Sequence, residues 1–226
     1  MKEKYDVPIA PLSEFVSYMM EQMSHFGLPC TEEQAKDFYL YYVHMIETNK
    51  YLNLTGITDM KEVVIKHMID SLSCYDPEII KSGMSIIDIG TGAGFPGIPL
   101  AIVFPKCRFK LIDRTAKKIK VTQEISRAIG LENVIAEQCA GEEEKGKYEF
   151  VVSRAVMPLG DLLKITRKNI SKQQFNAIPN GLICLKGGDL LAEIRQFKKI
   201  SDVTPITNWF KEAWFREKNV IYLPVN

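Results

Sequence analysis

Paired cysteines, clustered histidines, long apolar runs and a strong charge of either sign are all missing from this chain. Its five cysteines (Cys30, Cys74, Cys107, Cys139, Cys184) are odd in number, widely spread and contain no CxxC pair. That argues against a disulfide framework and against a zinc site, and it fits a reducing cytosol. His25, His44 and His67 are too scattered in sequence to suggest a metal cluster. No stretch reaches the roughly 18 apolar residues of a membrane span. Residues 1–6 mix charges and lack the apolar run of a signal peptide. These absences predict a soluble, cytoplasmic protein with neither a metal nor a membrane partner. The formal net charge is +1, so overall charge announces no nucleic-acid partner.

What is present is ordinary globular composition, 46% hydrophobic and 25% charged. A length of 226 residues suits one large domain, or a domain with an appended part. Local charge is less even. Lys106, Arg108, Lys110, Arg114, Lys117, Lys118 and Lys120 face the single acid Asp113 within one short window. That window reads either as a solvated strand edge and helix face or as a phosphate-binding surface.

The first third is helical in pattern. Leu12, Phe15, Val16, Met19, Met20 and Met23 recur at helical spacing before Gly27 and Pro29 end the segment. Thr31 and Gln34 form a capping box for a second helix carrying Ala35, Phe38, Tyr39, Tyr42, Met45 and Ile46. Asp59 and Glu62 offer a similar start for a third, with Val63, Val64, Met68 and Leu72. From Met84 the pattern changes. Strands are expected at 85–89, 108–112, 133–137, 149–153 and 182–186, alternating with helices at 98–103, 116–129, 159–168 and 190–198. Such alternation implies a parallel sheet covered on both faces. Two further strands, near 204–210 and 220–225, suggest an antiparallel edge. The domain division expected is 1–82 for a helical extension and 83–226 for the sheet domain.

The strongest chemical signal is Ile86-Ile87-Asp88-Ile89-Gly90-Thr91-Gly92-Ala93-Gly94-Phe95-Pro96-Gly97. A buried strand runs into a glycine-rich turn that opens a helix, so a ligand can approach the main chain closely. The run from Gly92 to Gly97 matches GxGxxG, which taken alone would also suit a dinucleotide. Asp113 ends the next strand, where an acid would bind ribose hydroxyls. Asp88 discriminates between the two. A carboxylate there repels a pyrophosphate but attracts the sulfonium and ammonium groups of S-adenosylmethionine. Its other reading is a cap on the following helix.

Several segments, in order and spacing, resemble the RsmG (GidB) family of bacterial small-subunit ribosomal RNA methyltransferases. They are Asn49-Lys50-Tyr51-Leu52-Asn53-Leu54-Thr55-Gly56-Ile57-Thr58, Ile65-Lys66-His67-Met68-Ile69-Asp70-Ser71-Leu72, the run from Gly92 to Gly97, Lys117-Lys118, Val152-Ser153-Arg154-Ala155 and Leu185-Lys186-Gly187-Gly188. The resemblance implies an α/β, Rossmann-like class I methyltransferase fold. Its sheet would be doubly wound, mostly parallel and seven-stranded, with an antiparallel C-terminal edge and an N-terminal helical extension. It implies S-adenosylmethionine as cofactor, 16S ribosomal RNA or a small-subunit particle as partner, and methylation of N7 of one guanine in the decoding-region loop. The expected cofactor contacts are Asp88, Gly90, Gly92, Gly94, Phe95, Asp113, Gly141, Glu142 and Arg154. At Ala140-Gly141-Glu142 the chain departs from the family's usual Arg-Ala-Glu, which loosens the expectation for the adenine end. It also motivates a second reading, a non-catalytic ribosome-assembly factor; an NAD-dependent oxidoreductase is the third.

Guanine N7 has a free lone pair and no proton, so the reaction needs alignment rather than a general base. Arg154, at the end of the fourth strand, is the residue expected to position the substrate. An arginine there can bond a carboxylate, a phosphate or a guanine edge, or form a structural ion pair. Lys117, Lys118 and Lys186 are the candidate RNA contacts, with solvated lysine the alternative for Lys186. His67, Asp70 and Ser71 read either as a buried cluster locking the extension to the sheet or as substrate contacts. The Asn53–Thr55 loop divides between turn chemistry and a cleft lid.

Overall fold

Capping and spacing account for the helical region. The computed structural model describes residues 7–74, 79–154 and 156–225; residues 1–6 and Ala155 of the resembling segment lie outside them. Helix α1 (Leu12–His25) buries Phe15, Met19 and Met23 on one stripe. Thr31 and Gln34 complete the expected capping box at the start of α2 (Glu32–Asn49). That helix buries Tyr41 besides the anticipated stripe, whereas Tyr39 is only half-buried. The Asp59 carboxylate accepts from the Glu62 amide and opens α3 (Met60–Val63). The chain then widens into a π-helical stretch, Val64–Ile69, and closes as α4 (Asp70–Leu72).

The sheet is built from β1 (Ser85–Ile89), β2 (Arg108–Asp113), β3 (Val134–Gln138), β4 (Phe150–Arg154), β5 (Gly181–Gly187), β6 (Asp202–Pro205) and β7 (Lys218–Pro224). Helices α5 (Gly97–Val103), α6 (Ala116–Ile129), α7 (Leu159–Thr166) and α8 (Leu191–Ile194) connect them. The strand order is β3-β2-β1-β4-β5-β7-β6, with β1 to β5 parallel and β7 antiparallel to both neighbours. The doubly wound, mostly parallel seven-stranded sheet is therefore present, with its antiparallel edge. One tail strand is displaced. It occupies Asp202–Pro205 rather than 204–210, and Ile206–Asn208 form a 3-10 turn. Pro205 lacks an amide hydrogen, so the edge pairing stops there and Ile206 turns into the core.

Both sheet faces are covered. Ile86, Phe109, Leu111, Phe150 and Val152 pack with α1, α2, α5, α6 and the π-helical stretch in one continuous core. Ile87, Ile89, Ile112, Val151 and Leu182 pack on the other face against Leu159 and Leu162 of α7. Alternate residues of one strand thus serve opposite cores, which is why the strands read as unbroken apolar runs. The order runs outward from β1 to β3 on one side and from β4 to β5 on the other. The topological switch point, where such folds take ligands, lies between the carboxyl ends of β1 and β4.

Candidate active site

The glycine turn leaves β1 at that switch point. Gly90 has φ +72°, and a Cβ there would lie 2.6 Å from Val156 Cγ2. At Gly97 a Cβ would meet both Asp88 Oδ2 and Leu111 Cγ at 2.8 Å, so α5 presses on β1 and β2 through a glycine. Asp88 is fully buried beneath the turn. Its Oδ2 accepts from the Thr91 hydroxyl at 2.6 Å and from the Gly97 amide at 2.9 Å. Burial pushes this carboxyl up to about 7, against the downward pull of those two donors and of Arg154. The cap reading of Asp88 matches its geometry.

A cavity of about 430 Å³ opens over the carboxyl ends of the strands. Ile89 and Gly90 line it from β1, Ile112 and Asp113 from β2, and Arg154 from the end of β4. Asp113 is held from two sides. Its Oδ2 accepts from the Gly92 amide at 3.1 Å and its Oδ1 from the Thr115 amide at 2.8 Å. Gly141 and Ile165 close the far wall and touch each other, since a Cβ on Gly141 would lie 3.1 Å from Ile165 Cδ1.

Arg154 links the cavity to the helical region. Its guanidinium lies 4.6 Å over the Phe95 ring and 3.3 Å from Asp70 Oδ2. Lys218 of β7 reaches Asp70 Oδ1 at 2.9 Å, so one buried carboxylate ties two sheet strands to α4. Phe95 also packs against the rings of Tyr41 and His67, at 5.0 and 4.9 Å. The Tyr41 hydroxyl donates to the Ala93 carbonyl at 2.8 Å and buttresses the turn from behind. His67 Nε2 lies 2.7 Å from Thr55 Oγ1. Burial, reinforced by the Arg154 charge, pulls the His67 pKa down to about 3, so the ring stays neutral.

Of the expected contacts, Gly90, Asp113, Lys118, Gly141 and Arg154 meet around the cavity. Gly92, Gly94, Phe95 and Asp88 stand behind it and hold the turn. Glu142 does not line it but pairs at 2.5 Å with Arg114, which does. Lys117 is exposed on α6. Lys186 is not the solvated lysine of one reading: its ammonium is enclosed and bonds the Met157 carbonyl at 2.7 Å and Glu193 at 2.6 Å. The 106–120 window is a free basic surface only in part, since Lys106, Arg108 and Lys117 are exposed and form no ion pair among the described residues. Lys110 pairs with Glu137 and Glu144, Arg114 with Glu142, and Lys120 lies 3.9 Å from Glu124. The His67, Asp70 and Ser71 group does join the helical region to the sheet, through Asp70. Asn49 explains the adjoining loop: its side chain accepts from the Leu54 and Thr55 amides and donates to the Thr55 carbonyl. Sequence reasoning missed Tyr41, Val156 and Ile165 at the site. Only Tyr41 carried a signal, the helical spacing to Phe38 and Met45.

No helix among the described residues is long and apolar enough to cross a membrane. A family model described as GidB, rRNA small subunit methyltransferase G, matches residues 34–213. A protein of Parabacteroides distasonis named "Ribosomal RNA small subunit methyltransferase G" is 45% identical, covering 99% of this chain and 94% of its own length. One of the same name from Bacteroides fragilis is 46% identical over 86% of this chain and 95% of its own. Among solved structures, M. jannaschii TYW2 in complex with AdoMet aligns at a TM-score of 0.50 and 15% identity, over 65% of this chain and 70% of that one. That likeness concerns the fold.

Proposed function

The chain belongs to the rRNA small subunit methyltransferase G family, and from that premise we propose that it transfers a methyl group from S-adenosylmethionine to N7 of one guanine in 16S ribosomal RNA. Family membership carries the activity, and the switch-point cavity supports a site for it at the carboxyl ends of β1, β2 and β4. The residues there fit the donor. Asp113 offers a fixed carboxylate to ribose hydroxyls, Gly90 and Gly141 leave the walls free of bulky side chains, and Asp88 keeps an acidic group under the turn. When bound, the donor supplies a methyl group on a sulfonium. Gly90, Asp113 and Gly141 would hold it. Family membership leaves the dinucleotide and the non-catalytic readings unfavoured.

Arg154 would position the guanine. The nucleophilic N7 carries no proton, so no side chain has to remove one. A fixed guanidinium can bond the O6 edge beside N7 and align the base. Asp70 and Phe95 restrict that guanidinium, and such alignment is worth on the order of 7–11 kcal/mol where it is complete. The reaction would take place in the cytoplasm, on 16S RNA free or within a small-subunit particle. Mass spectrometry of digested 16S RNA from a strain lacking the gene tests the reading. One N7-methylguanine should be missing and should return on incubation with the purified chain and labelled donor. An unchanged modification profile would overturn it.

A further inference from the structure

The net charge of +1 does not bring RNA to this protein, and in the 106–120 window Lys110 and Arg114 are held by acids, with Lys118 and Lys120 close to one each. A different surface is uncompensated. A depression of about 390 Å³ beside the end of α7 is lined by Lys164, Arg167, Lys168 and Lys172, together with Ile170 and Val225 among the described residues. All four cations are exposed, and none forms an ion pair among the described residues. Lys147 adds a fifth, its ammonium donating to the Lys168 carbonyl. Two acids near Lys168 are paired with other cations, Glu142 with Arg114 and Glu144 with Lys110. Lys164 and Lys168 are like charges at i and i+4, an arrangement that weakens a helix left to itself.

We propose that this depression binds the phosphodiester backbone of ribosomal RNA, anchoring the substrate outside the cavity where its base reacts. Among the described residues the lining offers charge but no aromatic ring for a base to stack on and no side-chain amide to read a base edge. It is therefore suited to phosphate rather than to sequence. It also lies close to the chemistry. Ile165, next in sequence to Lys164, lines the cavity. Lys168 donates to the carbonyl of Glu142, the residue after Gly141 in the cavity wall.

The proposal rests on the rRNA-methylating reading, and one experiment separates the two. Lys164→Glu, Arg167→Glu and Lys172→Glu are combined, leaving Lys168 and Lys147, whose ammonium groups bond to backbone. Binding of 16S RNA is measured over a salt series, and binding of S-adenosylmethionine by calorimetry. The variant should lose at least about tenfold in RNA affinity near 0.1 M salt, and its salt slope should flatten by about three. Donor affinity should match the wild type. A control with the same charge change at exposed Arg127, Lys198 and Lys199 should lose far less. Equal losses in variant and control, or unchanged RNA affinity in the variant, would overturn the anchoring site. A wild-type chain that binds neither donor nor 16S RNA would defeat the methyltransferase reading and the site with it.

Discussion

Arg154 stands where β4, the glycine turn and α4 meet, and its removal should be felt in rate and in stability. In Arg154→Ala the cavity loses its guanidinium, and turnover is expected to fall about 10²-fold through lost alignment. Asp70 keeps Lys218, so the loss of one charged hydrogen bond should cost about 1.5–3 kcal/mol. Methyl-transfer assays and thermal denaturation read these separately; a wild-type rate would remove Arg154 from the reaction. His67 gives a pH prediction. Its folded pKa, about 3, lies below its ordinary 6.5. The unfolded chain therefore takes up a proton that the folded one refuses. This contribution is present above about pH 6.5 and lost as pH falls toward 3. Asp88 acts in the opposite sense between about 4 and 7, but equally in wild type and variant. Between pH 6.5 and 4.5 the wild type should lose melting temperature more steeply than His67→Gln; parallel curves would count against a buried neutral His67. Arg154 was legible as a strand-end residue. Its pairing with Asp70 was not, because 84 residues separate them and only the folded sheet brings them together.

At the scale of elements, the glycine turn shows how closely a strand and the following helix are packed. Gly97 has an ordinary helical role, yet a Cβ there would lie 2.8 Å from both Asp88 Oδ2 and Leu111 Cγ. Gly97→Ala must push α5 outward or disturb the Asp88 cap, and overpacking of this kind typically costs about 1–3 kcal/mol. A fall of several degrees in melting temperature is expected, with weakened donor binding by calorimetry. A melting temperature and donor affinity equal to wild type would show that α5 has room to spare. Helix and strand positions were largely legible, since Thr31, Asp59 and the unbroken apolar strands each carry a local signal. The π-helical stretch was not. Val63, Val64, Met68, Ile69 and Leu72 are all buried, a broad apolar face that by its spacing suits an ordinary helix as well. The tail strand was misplaced because Ile206 and Phe210 look like strand residues, whereas Ile206 is buried in a 3-10 turn and Phe210 just after it.

For the molecule as a whole, the question is whether the helical region is an attachment or part of the fold. Phe15, Met19, Phe38, Tyr41 and Met68 share one core with Ile86, Phe109, Phe150 and Val152 of the sheet. Stripping away residues 1–82 would leave part of that face covered, by α5 and α6, and expose the rest of it to water. Each large core side chain contributes about 1.5–3 kcal/mol by burial, so losing several such contacts is comparable to the usual margin of about 5–15 kcal/mol. Asp70 would leave with the extension, stranding Arg154 and Lys218 beside each other without their shared carboxylate. We therefore propose that the division at 82/83 marks a change of pattern and not a boundary of stability. Calorimetry of the whole chain should give a single transition whose calorimetric and van't Hoff enthalpies agree. The fragment 83–226 should show no cooperative melting and should not bind S-adenosylmethionine. Two separate transitions in the whole chain, or a fragment that melts cooperatively and binds donor, would make the helical region an independent accessory.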